Sequence, residues 1–408
     1  MITVPEAHGI IRASTRISLD TERVPLHELS GRVIAEDVFA GFPMPRFTNA
    51  AMDGFAVMIA DIGNASRNLP VLLPVAQEIK AGAQSTMPLA VGTCARIMTG
   101  APMPDGADTV IPFEETSGFG HPVVEFYRTL KRGSNIRHAG EEVRSGQLLI
   151  PKGSRATPAE IAILAAFGVS APPAYRKPNV ALVTVGDELR IPGEAAEPLS
   201  IYNSNLPMLE ACIQASGAGK CGAWQLPDDP VRIRKTLEEA LGSCDLLVTA
   251  GGISTGQYDF MQETLTSLGV VQKFWQVAQK PGKPLYFGLA PSGALVFSLP
   301  GNPVSALACF IEYCMPALSR IHGAEPSAKI EACLDEPFPV DRNRHRFLFG
   351  RVRAEGGQLR CLASPKTDSH MLTAAGGANC LIESPPSSDP LPAGAMATCN
   401  LLPWAERC

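Results

Sequence analysis

Apolar and polar positions change rhythm several times along the 408 residues. Near the start, Thr3 and Glu6 stand at capping-box spacing ahead of Ile10 and Ile11, which predicts a helix over about 3–19. From about 20 to 135 the pattern breaks into short pieces bounded by Gly and Pro, among them VLLPVAQEI, TCARIMTG, DTVIPFEE and PVVEFY, and reads as a β-rich insertion. SRATPAEIAILAAFG then predicts a helix capped by Thr157, with Pro158 in its first turn, Glu160 completing the box and Gly168 closing it. The Pro-Pro and Lys-Pro steps near 172–178 mark a boundary. Beyond it, NVALVTV, CDLLVTA and ALVFSL are apolar runs suited to buried parallel strands. Helical segments fall between and after them, near 205–216, 229–242, 258–268 and 302–320. The alternation predicts a doubly wound α/β domain ending near His322, and the remainder reads as a small all-β module. No fixed-period repeat is visible.

Composition narrows the function classes. Hydrophobic residues make up 45% of the chain, enough for more than one core, while 37 Gly and 36 Pro favour short strands and several domains over a helical array. A net charge of −5 points away from nucleic acid and from an acidic membrane surface, so any anion site must draw its cations from a local cluster. The eleven cysteines form no C-x-x-C pair, and several, such as Cys212, Cys309 and Cys380, sit singly in apolar runs. That usage predicts neither zinc site nor disulfide framework and fits a reducing compartment. With no signal-peptide core at the N-terminus and no uncharged apolar run of membrane-spanning length, a cytoplasmic protein without a membrane partner is expected.

In an open α/β sheet, ligands bind beyond the carboxyl ends of the strands, and three such ends carry unusual loops. VTVGDEL puts Asp187 and Glu188 just after a strand. VTAGGISTGQYDF lets the backbone curl at Gly251, Gly252 and Gly256, with Ser254 and Thr255 available to an anion and Asp259 following. FSLPGNPVSA carries Gly301, then Asn302 and Pro303 at a helix start, where capping alone would account for the asparagine. Asp229-Pro230 likewise reads as cap and first turn, which leaves Asp228 as the functional candidate of the pair. VAQKPGKPLYFG holds Lys280 and Lys283 about a stiff Pro-Gly turn, as an anion clamp or as two solvated surface lysines. In the β-rich part, FPMPRFTNAAMDGFAV presents Thr48, Asn49 and Asp53, although Asp53-Gly54 alone reads as a turn. Thr99 and Gly100 form another constrained loop. Arg137, Glu141 and Glu142 follow, where a solvated acidic face is the ordinary alternative.

Taken in order, PRFTNAAMDGFA, RIMTGAPMPDGADTV, IRHAGEEV, VTVGDEL, IYNSN, AGGISTGQYD, KPGKP and LPGNPVSA resemble the motifs of the MoeA-type molybdopterin molybdenumtransferases, a family that includes the C-terminal domain of gephyrin. The resemblance runs from near residue 3 to about 322 and more weakly to the end. It implies an extended linking domain (1–44 and 136–174), a β-rich domain (45–135), a MogA-like α/β domain (175–323) and a C-terminal β-barrel-like domain (324–408). It implies a homodimer with active sites between subunits, and insertion of molybdenum from molybdate into adenylated molybdopterin with release of AMP and help from magnesium. A MogA-type adenylyltransferase and recipient molybdoenzymes are the implied partners.

The positions that match the family's catalytic residues are Asp53, Glu142, Glu188, Asp228, Asp259 and Lys280. Thr99 and Ser369 match substrate-binding positions, and Gly251, Gly252, Ser254, Lys283, Pro300 and Asn302 join them as binding candidates from the loops themselves. Asp228 and Asp259 are the expected magnesium ligands. The chain departs from the family pattern at Thr48, in place of Asp, and at Gln276, in place of Lys or Arg. Glu142 replaces a frequent Asp. Against G-R-x-[DE]-F-x-R, Arg346 occupies the acidic position and Phe349 that of the last Arg. Two other readings stand beside the metal-inserting enzyme: a MogA-like adenylyltransferase, and a non-catalytic gephyrin-like scaffold or paralogue.

Overall fold

The computed structural model describes residues 1–17, 20–83, 85–195, 197–252 and 260–405. Contacts divide the chain into two compact units: Met1–Glu36, Lys152–Ile161 and Ser170–Cys408 form the larger, Asp37–Pro151 and Ala162–Val169 the smaller.

At the centre of the larger unit is a six-stranded sheet. Its spatial order is Gly219–Leu226, Asn179–Val185, Leu246–Ala250, Leu295–Leu299, Tyr286–Leu289 and Val271–Trp275. The first four strands run parallel, and the last two are added antiparallel. Both faces are covered, so the central strands are apolar at most positions, with Thr184, Thr249 and Ser298 as buried polar exceptions. Val180, Leu182, Val248 and Phe297 enter one core, and Ala181, Val183, Leu247 and Val296 the other. The first core includes Leu209, Cys212 and the run from Val304 to Ile321, and the second Ile233, Leu237, Met261 and Leu265. The doubly wound domain expected from the alternating pattern is therefore present. The strand Gly219–Leu226 escapes that pattern because it lies at the sheet edge, where none of its residues is fully buried.

The helical run Pro303–Ile321 passes through a π turn at Phe310–Cys314. It is long and apolar enough to cross a membrane, but 78% of its most apolar stretch is buried, the burial of a core helix. The turn carries Glu312, 1% exposed. Its Oε1 accepts from His8 at 2.8 Å and from Lys329 at 2.6 Å, and its Oε2 from Asn400 at 3.3 Å. A buried carboxylate so surrounded ties the N-terminal helix and the C-terminal strands to the α/β domain.

The N-terminal helix has the expected capping box but spans Val4–Ser14, shorter than the pattern implied. Thr15 turns extended, and Thr21–Arg23 then pairs with Pro173–Tyr175. This long-range pairing overrides the local helical rhythm. The C-terminal module is a five-stranded barrel-like sheet. Its order is His345–Glu355, Gln358–Ala363, Ile330–Leu334, Met396–Leu401, Cys380–Ser384, and the last strand pairs back to the first. Gln279–Lys280 adds as a sixth strand, parallel to His345–Glu355.

The smaller unit contains a five-stranded sheet in the order Thr109–Pro112, Gly54–Val57, Cys94–Ile97, Val71–Ile79 and Val123–Phe126. Phe55, Val57 and Phe126 pack on one face, and Ala56, Ile97 and Val110 on the other. Gly54 opens a strand here and does not serve the turn that Asp-Gly suggests. A Cβ at Gly54 would stand 2.0 Å from the Ile111 carbonyl oxygen, so the strands pair closely only because that position is glycine.

Candidate active site

At the carboxyl edge of the α/β sheet, loops from neighbouring strands converge with backbone alone between them. Gly251 has φ +89°, and a Cβ there would lie 2.4 Å from the Val185 carbonyl oxygen. A Cβ on Gly301 would be 3.7 Å from the Gly251 Cα. Asn205 Nδ2 donates to the Gly301 carbonyl at 2.7 Å and braces this loop. Pro300 is buried, whereas Gly301 and Asn302 are exposed. Such crowding of backbone leaves amides close to the sheet edge, which suits a phosphate.

The acids of this edge lie on adjacent loops. The Asp187 amide donates to Asp228 Oδ2 at 3.3 Å, and the Asp228 amide returns a bond to Asp187 Oδ1 at 3.1 Å. Asp229 accepts from the Val231 and Arg232 amides and is the helix cap, as its place before Pro230 predicts. Asp228 is thus free of capping and exposed. Glu188 is also exposed, with its carboxylate against Gly186. Ser254 and Asp259 lie outside the described residues. Among the described residues no group of three or more His, Cys, Asp and Glu side chains is placed to hold a metal ion.

Asn302 stands at the N-cap of Pro303–Cys309, but its side chain makes no cap bond. Its Nδ2 donates instead to Ser369 Oγ at 3.1 Å, so the plain capping reading fails and the loop bearing Ser369 is joined to the sheet edge. Lys280 lies in the short strand Gln279–Lys280 and is half-buried, while Lys283 is exposed. Neither forms an ion pair with a described residue. The turn between them is held from beneath by Gln279, 1% exposed. Its Nε2 donates to the Pro281 and Gly282 carbonyls at 3.2 and 3.1 Å, and its Oε1 accepts from Tyr313. Sequence reasoning missed Gln279; the signal was one polar residue in the otherwise apolar stretch ahead of the turn.

In the smaller unit the candidates gather around Asn49–Ala50, which pairs with Ile136–Arg137. Asp53 Oδ1 accepts from both the amide and the hydroxyl of Thr99, each at 2.7 Å. These two bonds, the hydroxyl's first, hold the Asp53 carboxyl below the ordinary range. The Gly100 amide bonds the Ala50 carbonyl at 2.8 Å and keeps the Thr99 loop against this strand. Thr48, which stands where the family pattern has Asp, accepts from the Ala139 amide at 3.3 Å. Glu142 is exposed and donates its amide to the Met44 carbonyl. Glu141 accepts from the His138 amide at 2.7 Å, a local turn role. The structure therefore joins Asp53 to Thr99, and Asp228 to the loop of Glu188. It also joins Asn302 to Ser369.

A cavity of about 740 Å³ in the larger unit contains none of these residues; it is lined by His8, Glu312, Met315, Lys329, Leu359 and neighbours. The candidate residues belong instead to loops outside this cavity.

The model of the MoeA N-terminal region (domain I and II) matches residues 2–168, that of a probable molybdopterin binding domain 181–320, and that of the MoeA C-terminal region (domain IV) 331–402. Molybdopterin molybdenumtransferase 2 of Mycobacterium tuberculosis is 34% identical over 375 residues, covering 89% of this chain and 90% of that protein. The chain belongs to the molybdopterin molybdenumtransferase family. The Haemophilus influenzae member is 30% identical and covers 94% of each chain. The solved MoeA protein of Pyrococcus horikoshii superposes with a TM-score of 0.83 at 29% identity, over 98% of this chain and 100% of that one.

Set against the molybdenumtransferase pattern, one departure has a structural explanation, and nothing in the structure explains Gln276 or Arg346. Phe349 is 2% exposed in the core shared with the α/β sheet, where an arginine would be buried without need. Gln276 adopts φ +68° beside the first strand-like contact of the chain, Ile2 with Val277. Arg346 is 6% exposed, a buried cation where the pattern has an acid.

Proposed function

We propose that this molybdenumtransferase inserts molybdenum from molybdate into adenylated molybdopterin and releases AMP. The observation that carries the reading is the carboxyl edge of the α/β sheet, where Gly251, Gly252 and Gly301 bring loop backbone together beside Asp228 and Glu188. Exposed amides at such an edge bind the pyrophosphate, and Lys280 and Lys283 attract the molybdate dianion. Asn302 and Ser369 orient the substrate between these two features. Asp53, held ionised by Thr99, and Glu142 direct the pterin or the oxyanion. The exposed carboxylates of Asp228 and Asp187 are hard oxygen donors of the kind magnesium takes, and Asp228 with Asp259 would hold that ion. Magnesium would neutralise phosphate charge as the phosphoanhydride is cleaved.

The enzyme acts as a homodimer with its sites shared between subunits, in the cytoplasm. The free thiols of ten described cysteines, most of them buried, suit a reducing compartment. A MogA-type adenylyltransferase supplies the substrate and molybdoenzymes receive the product.

Purified protein incubated with adenylated molybdopterin, molybdate and magnesium should release AMP in step with metal insertion, and chelation should stop it. Consumption of ATP by molybdopterin alone would favour the adenylyltransferase reading. Binding of molybdopterin with neither reaction would favour the scaffold.

A further inference from the structure

We propose that Arg346 is a ligand-facing cation that acts with Lys280 on a tetrahedral dianion, and so sets the affinity and selectivity of the oxyanion pocket. The inference rests on the reading of Lys280 as an anion-binding residue and deepens it.

Arg346 pairs in register with Lys280 across two parallel strands, so both side chains leave the sheet on the same face. Neither has an ion-pair partner among the described residues. Arg346 is 6% exposed, its Nε lacks any hydrogen-bond partner, and its one described side-chain bond runs from Nη2 to the Thr367 carbonyl at 3.3 Å. One of the two acids that act on it is committed elsewhere: Asp341 Oδ2 takes Nε and Nη2 of Arg344 at 3.0 and 2.7 Å. Asp341 and Asp368 act on Arg346 only through space, Arg344 opposes them, and burial draws the guanidinium below its ordinary value. Two like charges paired on neighbouring strands, one of them buried, are costly unless an anion lies between them.

The surroundings fit such an anion. By holding the Thr367 carbonyl, Arg346 anchors the loop that ends at Ser369, whose hydroxyl meets Asn302. Guanidinium, ammonium, hydroxyl and amide donors are then contributed by four separate segments, a donor set suited to four oxygens around one centre. The family pattern has an acid at this position, so the charge at 346 is two units more positive than in that pattern, one unit of which Phe349 offsets by standing where the pattern has its last arginine.

Calorimetric titration of the full-length protein with molybdate alone, tungstate alone and AMP alone tests this, with melting curves as the check on folding. Arg346→Gln should weaken molybdate binding at least tenfold and flatten its salt dependence. Arg346→Lys should restore part of it, and Arg346→Glu should abolish it. Loss confined to AMP would show that the dianion is the nucleotide phosphate. If Arg346→Gln and Arg346→Lys bind molybdate and AMP like wild type while Lys280→Ala does not, Arg346 is only a strut and the proposal falls alone. If Lys280→Ala also binds both like wild type, the anion-site reading of the lysine turn falls with it.

Discussion

The glycine-lined edge of the α/β sheet and the Asp53–Thr99 corner of the smaller unit hold their acids by opposite means. At the sheet edge, shape comes from missing side chains: Gly251 at φ +89° lets its loop close on Val185. Among the described residues, Asp228 and Asp187 there accept single backbone bonds from one another's residues at 3.1–3.3 Å. In the corner, one residue does the holding, and Thr99 places its amide and its hydroxyl, each at 2.7 Å, on a single Asp53 oxygen. The first arrangement leaves carboxylate oxygens open for a cation or a ligand, and the second keeps one carboxylate charged to lower pH than usual.

If both regions serve one reaction, Asp53→Asn and Asp228→Asn should each abolish turnover, since each keeps shape and removes charge. Co-refolding the two inactive variants should then recover about a quarter of wild-type activity in a dimer with shared sites. No recovery, with mixed dimers confirmed by native mass spectrometry, would place both acids in one chain's site. The next largest effect should fall on stability. Gly251→Ala puts a Cβ against a carbonyl oxygen at positive φ, and should cost on the order of 1–3 kcal/mol in denaturant titration. A neutral result would remove the claim that missing side chains shape this edge.

The corner can be sharpened by pH. Because Asp53 is held below its ordinary 3.8 in the folded protein, its stabilising contribution is present above that value and is lost as pH falls through the folded one. Thr99→Val should raise the Asp53 carboxyl toward 3.8, read by NMR titration, and move acid unfolding to higher pH. An unmoved carboxyl would mean that Thr99 does not hold it. The smallest effect separates neighbours. Asp229→Ala should cost about 1 kcal/mol through lost capping while leaving turnover largely intact. Asp228→Ala should change melting little and remove turnover, and the reverse pattern would exchange their roles.

How far the site could be read without coordinates varied with the range of the interaction. Asp229 before Pro230 and Thr3 with Glu6 announce caps within a few residues, and both caps are present. The strands Asn179–Val185 and Val71–Ile79 coincide with the apolar runs that foretold them. At Asn302 the capping alternative gave way, because its side chain bonds Ser369, 67 positions away, in space. Gln279 passed unnoticed, since its place beside apolar residues hints at burial but does not name Tyr313, 34 positions away, as its partner.

The sequence by itself determined the local periods, the caps, the glycine loops and the family motifs, because each depends on backbone preference and side-chain spacing over a few residues. Tertiary structure alone decided which distant segments share a sheet. It ended the first helix at Ser14, closed the C-terminal strands into a barrel, and added Gln279–Lys280 to its edge. That last pairing sets Lys280 beside Arg346, and no pattern along the chain specifies it. Register between strands is fixed by packing across the whole domain, where burial on both faces leaves one pairing that satisfies every neighbour.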